Sequence, residues 1–358
     1  MPATKLFFRV GIGCTILFAI AGTAVAQNYS GQTVTMLLNN GAGGPTDVEA
    51  RIVARYLTKY LQGASAVIIR NVPGAGGNIG ANQLGEATGK ERLTLGYLTW
   101  NPVTQIINEP TLHVRYENFK FIAGVRQTTL VYGRRDTAPG INKPADIAKA
   151  SPFRVGAMGP ASQGTIRIRL ALELLGAKFE TIPGYKGVRD IEFALRAGDV
   201  QVTNNSLPGY FTSVKPMLID TGIAMPLYQY DLVPAQPSRS PALPNVPSYL
   251  EVYKDVWGKD AMPSGVKWQA LVLLNRIMEN MIRTIFMPPT APQAAVDEMR
   301  SAFDKLSRDP EFIAQWKKVV LVEPYFIMGT EGERIISDLA NVQPPMANFL
   351  RKYIEEMK

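Results

Sequence analysis

An apolar run, Val34 to Leu38, leads into a polar glycine-rich turn, Asn39 to Gly44. Val48, Ile52, Val53, Tyr56, Leu57, Tyr60 and Leu61 then recur at helical spacing. The succession predicts strand, loop and helix. Thr46 is the expected N-cap: its hydroxyl can accept from the Glu49 amide while the Glu49 carboxylate reaches back, a capping box. Gly41, Gly43 and Gly44 carry no side chain to block approach, so the first-turn N–H groups and the positive end of the helix dipole face open space. Anions bind α/β sheets at that end of the strand. Taken alone, the loop also reads as an ordinary tight turn into a capped helix.

Further along, Ala66 to Arg70 is a short strand, and NVPGAGGNIGANQLGEA turns into a helix starting near Asn78. Gly76 and Gly80 are separated by three residues where the dinucleotide fingerprint has two, and no G-x-x-x-x-G-K-[ST] occurs. The usual nucleotide cradles are therefore excluded. Leu93 to Thr99 alternates as a strand and ends at Trp100-Asn101-Pro102, where a loop can line a cleft. Phe119 to Val125 and Leu130 to Arg134 are apolar strands, and the DTAPGINKP loop after them marks the crossover into a second lobe.

The opening pattern recurs there. Phe153 to Ala157 is a strand, MGPASQG a loop, and TIRIRLALELLG a helix with Thr165 as its cap and Gly176 as its stop. Arg169 can pair with Glu173 at i,i+4 or face a ligand, whereas Arg167 has no such partner within its helix. ETIPGYKGVRDIEFALRAGDVQVTNNSLPGY then reads as strand, turn at Pro183-Gly184, helix ended by Gly198, and strand ending at Asn204-Asn205. Paired amides there are turn formers or orienting cleft contacts.

Composition narrows the chemistry. Residues 1–26 read as a secretory signal, with Lys5 and Arg9 before an apolar stretch and an A-x-A site at Ala24-Val25-Ala26. The charges of Lys5 and Arg9 leave with it, taking the formal net charge from +8 to +6. The single cysteine, Cys14, would leave too, which excludes disulfide and thiol chemistry in the mature chain. Exported, and with no Lys/Arg run longer than two, such a chain has an anionic small ligand as its simplest partner, not nucleic acid. His113 is the only histidine, so neither a multi-histidine metal site nor a Cys–His pair can be assembled, and no G-x-S-x-G occurs. Asp47 is the acid whose position suggests a cleft, with a helix-start carboxylate as its alternative role.

GGPTDVEAR, NVPGAGGNIGA, IPGYKG with RAGDV after it, LPNVPSYLE and PPTAPQAAVDEMRSAFDKLSRDPEF stand in order along the chain. Together they resemble the periplasmic substrate-binding proteins of tripartite tricarboxylate transporters, the Bug-type receptors. The resemblance implies an α/β, two-lobed type II periplasmic-binding-protein fold whose lobes close on a small carboxylate. Its organisation would be a signal peptide over 1–26, a first lobe over 27–125, a second over 126–240, and a return to the first over 241–358. An extra helix near 267–286 carries the stripe Leu271, Leu274, Ile277, Met278, Met281, Ile282 and Ile285, which suits either core or partner docking. The chain departs from the family at Asn39-Asn40, near Arg167, at Gly184, and at Arg283-Thr284.

The expected ligand contacts are Asn40, Gly43, Gly44, Thr46, Asp47, Asn78 and Trp100 in the first lobe, and Gln163, Gly164, Thr165, Arg167 and Asn205 in the second. Neither catalytic residues nor a metal or other cofactor is expected. The implied function is monomeric, periplasmic capture of a small organic anion for the membrane subunits of a tripartite carrier. A ligand-gated sensor or protein-interaction module descended from such a receptor is the alternative.

Overall fold

The apolar runs sort into two sheets. The computed structural model describes Met1, residues 29–231 and residues 236–357. The expected leader, with Cys14 and the cleavage point after Ala26, lies outside the described residues. In chain order, β1 (Thr33–Leu38), α1 (Pro45–Leu57), β2 (Ala66–Asn71), α2 (Asn78–Gly85), β3 (Leu95–Leu98), α3 (Pro102–Ile106) and β4 (Lys120–Val125) build most of the first sheet. The chain then crosses to β5 (Thr129–Arg134), β6 (Phe153–Gly156), α4 (Gln163–Leu174), β7 (Phe179–Ile182), α5 (Val188–Ala197), β8 (Val202–Ser206), the short turn α6 (Leu207–Gly209) and β9 (Ala224–Gln229). After α7 (Tyr249–Trp257) and α8 (Gly265–Met278) it returns through β10 (Arg283–Met287), α9 (Gln293–Ser307), α10 (Pro310–Val320), β11 (Phe326–Met328), α11 (Thr330–Ser337) and α12 (Pro344–Glu355).

The first sheet has the order β11-β4-β10-β3-β1-β2 and the second β7-β6-β8-β5-β9. Parallel pairs β1/β2, β1/β3, β6/β7 and β6/β8 put the loops that leave β1, β3, β6 and β8 at carboxyl ends of strands. Helices cover both faces of the first sheet, which is why Met36, Leu37 and Leu38 are all buried instead of alternating.

Four expectations are corrected. Helix α1 starts at Pro45, whose fixed φ suits the first helical position, so Gly44 is the N-cap and makes no side-chain bond. Thr46 instead meets Thr99, Oγ1 to Oγ1, at 3.0 Å, and Glu49 is wholly buried, accepting from the Tyr97 hydroxyl. The capping box is absent. Helix α4 is capped three residues earlier than expected, by Ser162, whose Oγ accepts from the Thr165 amide. The stretch 267–286 is not one helix: α8 ends at Met278, and Arg283–Met287 is a strand hydrogen-bonded on both sides, to β3 and to β4. A strand buried on both faces is continuously apolar, and a helical stripe runs into it without a break in period. Leu271, Leu274, Ile277, Met278, Met281, Ile282 and Ile285 are all buried, so the stripe is core and not a docking face.

The chain also regains the first sheet later than expected, at Arg283. Before that, Tyr249 donates to the Ala171 carbonyl, Trp257 donates to the Leu174 carbonyl, and α8 packs on α4, so residues 249–278 belong with the second sheet's helices.

Candidate functional site

A cleft lies where the loops after β1, β3, β6, β7 and β8 meet, and it has two compartments. The larger, ≈ 620 Å³, is lined by Asn39, Asn40, the loop 73–78, Thr99 to Asn101, Thr104, Glu109, Thr111, Met158 to Gly164, Tyr185 and Lys186. The smaller, ≈ 220 Å³, is lined by Asn40 to Ala42, Gly44 to Thr46, Thr99, Thr129, Met158, Gln163, Gly164, Lys186 to Asp190, Asn204 to Ser206, Ile282 and Arg283. Asn40, Thr99, Met158, Gln163, Gly164 and Lys186 line both. Both lobes therefore face one space. Another hollow, ≈ 630 Å³, lies against β6, β7 and α4, away from the junction of the lobes. Within it Arg169 and Glu173 pair with each other at 3.4 Å.

Three helices of ten or more residues, α1, α4 and α5, begin at the smaller compartment. Their free N–H groups and dipoles favour an anion there, and the lining also carries the cations Lys186 and Arg189 and the acid Asp190. The backbone is shaped for approach. Gly43 has φ +80°, a conformation open to glycine, and its amide donates to Asp47 at 3.0 Å. Asn39 ties three loops together: its Nδ2 donates to the carbonyls of Gly77 and Thr99, at 3.3 and 2.9 Å, and its Oδ1 accepts from the Thr99 amide at 2.9 Å. Across the lobes, Asn101 Nδ2 donates to the Ala161 carbonyl at 2.8 Å.

The structure brings Asn40, Gly44, Thr46, Asn78, Trp100, Gln163, Gly164 and Asn205 to the cleft lining. Several of them have their polar atoms engaged by the protein. Asn78 bonds Thr111 and Thr104, Trp100 donates to the Met281 carbonyl, and Asn205 donates to Glu192 and accepts from the Ser206 amide. Asn204, one place earlier, donates to the Gly164 carbonyl at 3.0 Å and so fixes the entry of α4.

Gly43, Asp47, Thr165 and Arg167 do not line the cleft. Asp47 is buried against Arg51, Asn71 and the Gly43 amide; burial works against ionisation, but these hydrogen bonds outweigh it and hold its carboxyl below the usual range. It is a brace for the glycine loop. Thr165 sits behind the cap, its Oγ1 2.6 Å from Ser162 Oγ. Arg167 is wholly buried: it donates to Asn275, Gln163 and Glu279, and its guanidinium lies 3.9 Å over the Tyr230 ring. Asn275 and Glu279 are more than a hundred residues away, beyond the reach of any spacing argument.

Thr99, Lys186, Arg189, Ser206 and Arg283 also line the cleft and are not among the expected contacts. The sequence carried a signal for two of them, since IPGYKGVRD is a third strand, glycine-bearing loop and helix start. Among the described residues, no group of His, Cys, Asp and Glu is placed to hold a metal. His113 is exposed on the surface beside Glu86.

No family model matches the chain. Protein BugT of Bordetella pertussis is 26% identical over 289 residues, 77% of this chain and 84% of that one. A UPF0065 protein of Agrobacterium vitis is 24% identical over 238 residues, 65% of this chain and 67% of its own. Among solved structures, the periplasmic binding protein BugD aligns with TM-score 0.64 at 20% identity, covering 90% of this chain and 97% of its own. MatC of Rhodopseudomonas palustris with bound malate aligns with TM-score 0.62 at 19% identity over 90% and 98%. A second R. palustris protein, solved with adipate, gives 0.66 at 19% over 90% and 97%. At such identities the structural likeness speaks for the two-lobed fold. In sequence over most of its length, and in fold over nine-tenths of it, the chain resembles the Bug-type solute-binding proteins of tripartite tricarboxylate transporters.

Proposed function

We propose that the chain is a periplasmic solute-binding protein that captures a small organic carboxylate between its lobes and delivers it to the membrane subunits of a tripartite tricarboxylate-type transporter. The observation that carries this reading is the meeting of the N-termini of α1, α4 and α5 on one compartment fed by loops from both lobes. Such a set of donors and dipoles suits an oxyanion and offers nothing specific to a cation. The larger compartment, walled by Pro73, Ala75, Met158, Pro160 and Ala161, suits the ligand's carbon skeleton. Relatives solved with malate and adipate support the ligand class. The burial of the α8 stripe removes the motive for a docking helix, so the transport reading is favoured over an interaction module.

A ligand held only by the native form stabilises it by RT ln(1 + [L]/Kd), about 2.7 kcal/mol at a hundredfold excess over Kd. Thermal-shift screening of mono-, di- and aromatic carboxylates should therefore give at least one clear rise in Tm at unchanged pH. A rise with amines or neutral sugars and with no carboxylate would overturn the assignment.

A further inference from the structure

Arg283 opens β10 beside the crossover between the sheets, in register with Val125, the last residue of β4. Its side chain lines the smaller compartment and is only 5% exposed, yet its Nε has no hydrogen-bond partner. Oε2 of Glu49 stands 3.6 Å from that Nε, close enough for Coulomb attraction and too far for an N–H···O bond. That Oε2 accepts from the Tyr97 hydroxyl at 3.0 Å, and Oε1 of Glu49 is buried without a hydrogen-bond partner of its own. Ser206, on the same compartment, has a buried Oγ that is likewise unpartnered. Leaving a buried donor unsatisfied is costly, and more so for a charged one. Among the described residues, buried Arg167 is by contrast satisfied, bonded to Asn275, Gln163 and Glu279.

Resting on the carboxylate reading above, we infer that Arg283, with Ser206 on the wall of the same compartment, is a second anchoring point that reads an anionic group at the crossover end of the cleft. The protein thereby prefers a ligand carrying two carboxylates to the matching monocarboxylate. The helix N-termini take one carboxylate, and the planar guanidinium, with donors to spare, takes the other. Glu49 compensates the cationic charge without occupying those donors, so the second carboxylate binds without displacing an existing hydrogen bond.

The test is calorimetric titration with matched pairs: succinate against butyrate, and adipate against hexanoate. The parent should bind a dicarboxylate about 10- to 100-fold more tightly than its partner, the worth of one charge-assisted hydrogen bond. In the double variant Glu49→Gln/Arg283→Gln both charges leave together, which avoids stranding a buried carboxylate. Its preference should fall to within about threefold of none. Arg283→Lys keeps the charge and loses the fork, and it should reduce the ratio; if the double variant does not fold, this one decides. Equal affinities in the parent, or an undiminished ratio in a folded variant, would overturn the Arg283 subsite while leaving the carboxylate reading in place. If the parent bound no member of either series or of the wider screen, the carboxylate reading would fall and the subsite with it.

Discussion

Arg167 and Arg283 are both buried guanidiniums, but every nitrogen of the first is hydrogen-bonded by the protein and Nε of the second is not. Truncating Arg167 would strand the Glu279 carboxylate, which burial pushes above the usual range and Arg167 pulls back. Arg167→Ala should cost about 3–5 kcal/mol, read from urea unfolding, while carboxylate affinity in the protein that remains folded stays near the parent's. A loss of affinity without a loss of stability would return Arg167 to the ligand site. Gly44→Asp should do the reverse. Gly44 has φ −82° and ψ 173°, and an added Cβ would meet only the Gly41 carbonyl, at 4.0 Å, so the fold should tolerate a side chain. A carboxylate there would face the ligand's own in a desolvated cleft, where like charges cost several kcal/mol at an effective dielectric near roughly 20. Titration should show affinity falling by orders of magnitude with Tm within a few degrees of the parent; unchanged affinity would make the loop purely structural. Gly164→Asp is a poorer probe, since its Cβ would sit 3.2 Å from Asn204 and mix crowding with charge.

Among the elements, loops and strands were more legible than caps and packing. The glycine loops before α1 and α4 stood out because strand, turn and helix periods change abruptly there, and both line the cleft. The caps were misplaced because Ser162 and Thr165 both fit an N-cap by residue type, as Gly44 and Thr46 do, and only the backbone decides between them. The junction of α8 and β10 was hidden because a helix with a wide buried stripe and a strand buried on both faces give the same apolar density. Another element carries a pH dependence. Asp231 accepts from the amides of Ser238 and Leu250, closing the connection from β9 to α7, and burial pushes its carboxyl from 3.8 up to about 6 despite those bonds. A carboxyl raised on folding contributes stability that is fully present below its unfolded pKa and is lost as pH rises through about 6. Between pH 7 and pH 4.5 the parent should therefore gain on the order of 2 kcal/mol relative to Asp231→Asn. Urea midpoints for both proteins at the two values measure this, and parallel pH profiles would show that Asp231 titrates normally.

For the whole molecule, two sheets do not make two independent bodies. One apolar cluster runs from Leu84, Trp100 and Val103 in the first lobe, through Leu271, Leu274 and Met278 on α8, to Val155, Leu170 and Leu172 in the second. Leu350 and Ile354 of α12 belong to the same cluster, so the chain's last helix closes over the junction. Elements that share buried apolar surface lose it together, which argues for one cooperative transition in spite of the bipartite architecture. Scanning calorimetry should show a single peak with van't Hoff and calorimetric enthalpies in agreement. Leu274→Ala, at a fully buried position on α8, should cost about 2–5 kcal/mol and lower that whole peak by several degrees without splitting it. A bound carboxylate should raise the same peak as a unit, because the cleft is built from both sheets. If α8 were only an appendage of the second lobe, the parent would melt in two steps, Leu274→Ala would move one of them, and ligand would couple two otherwise separate domains.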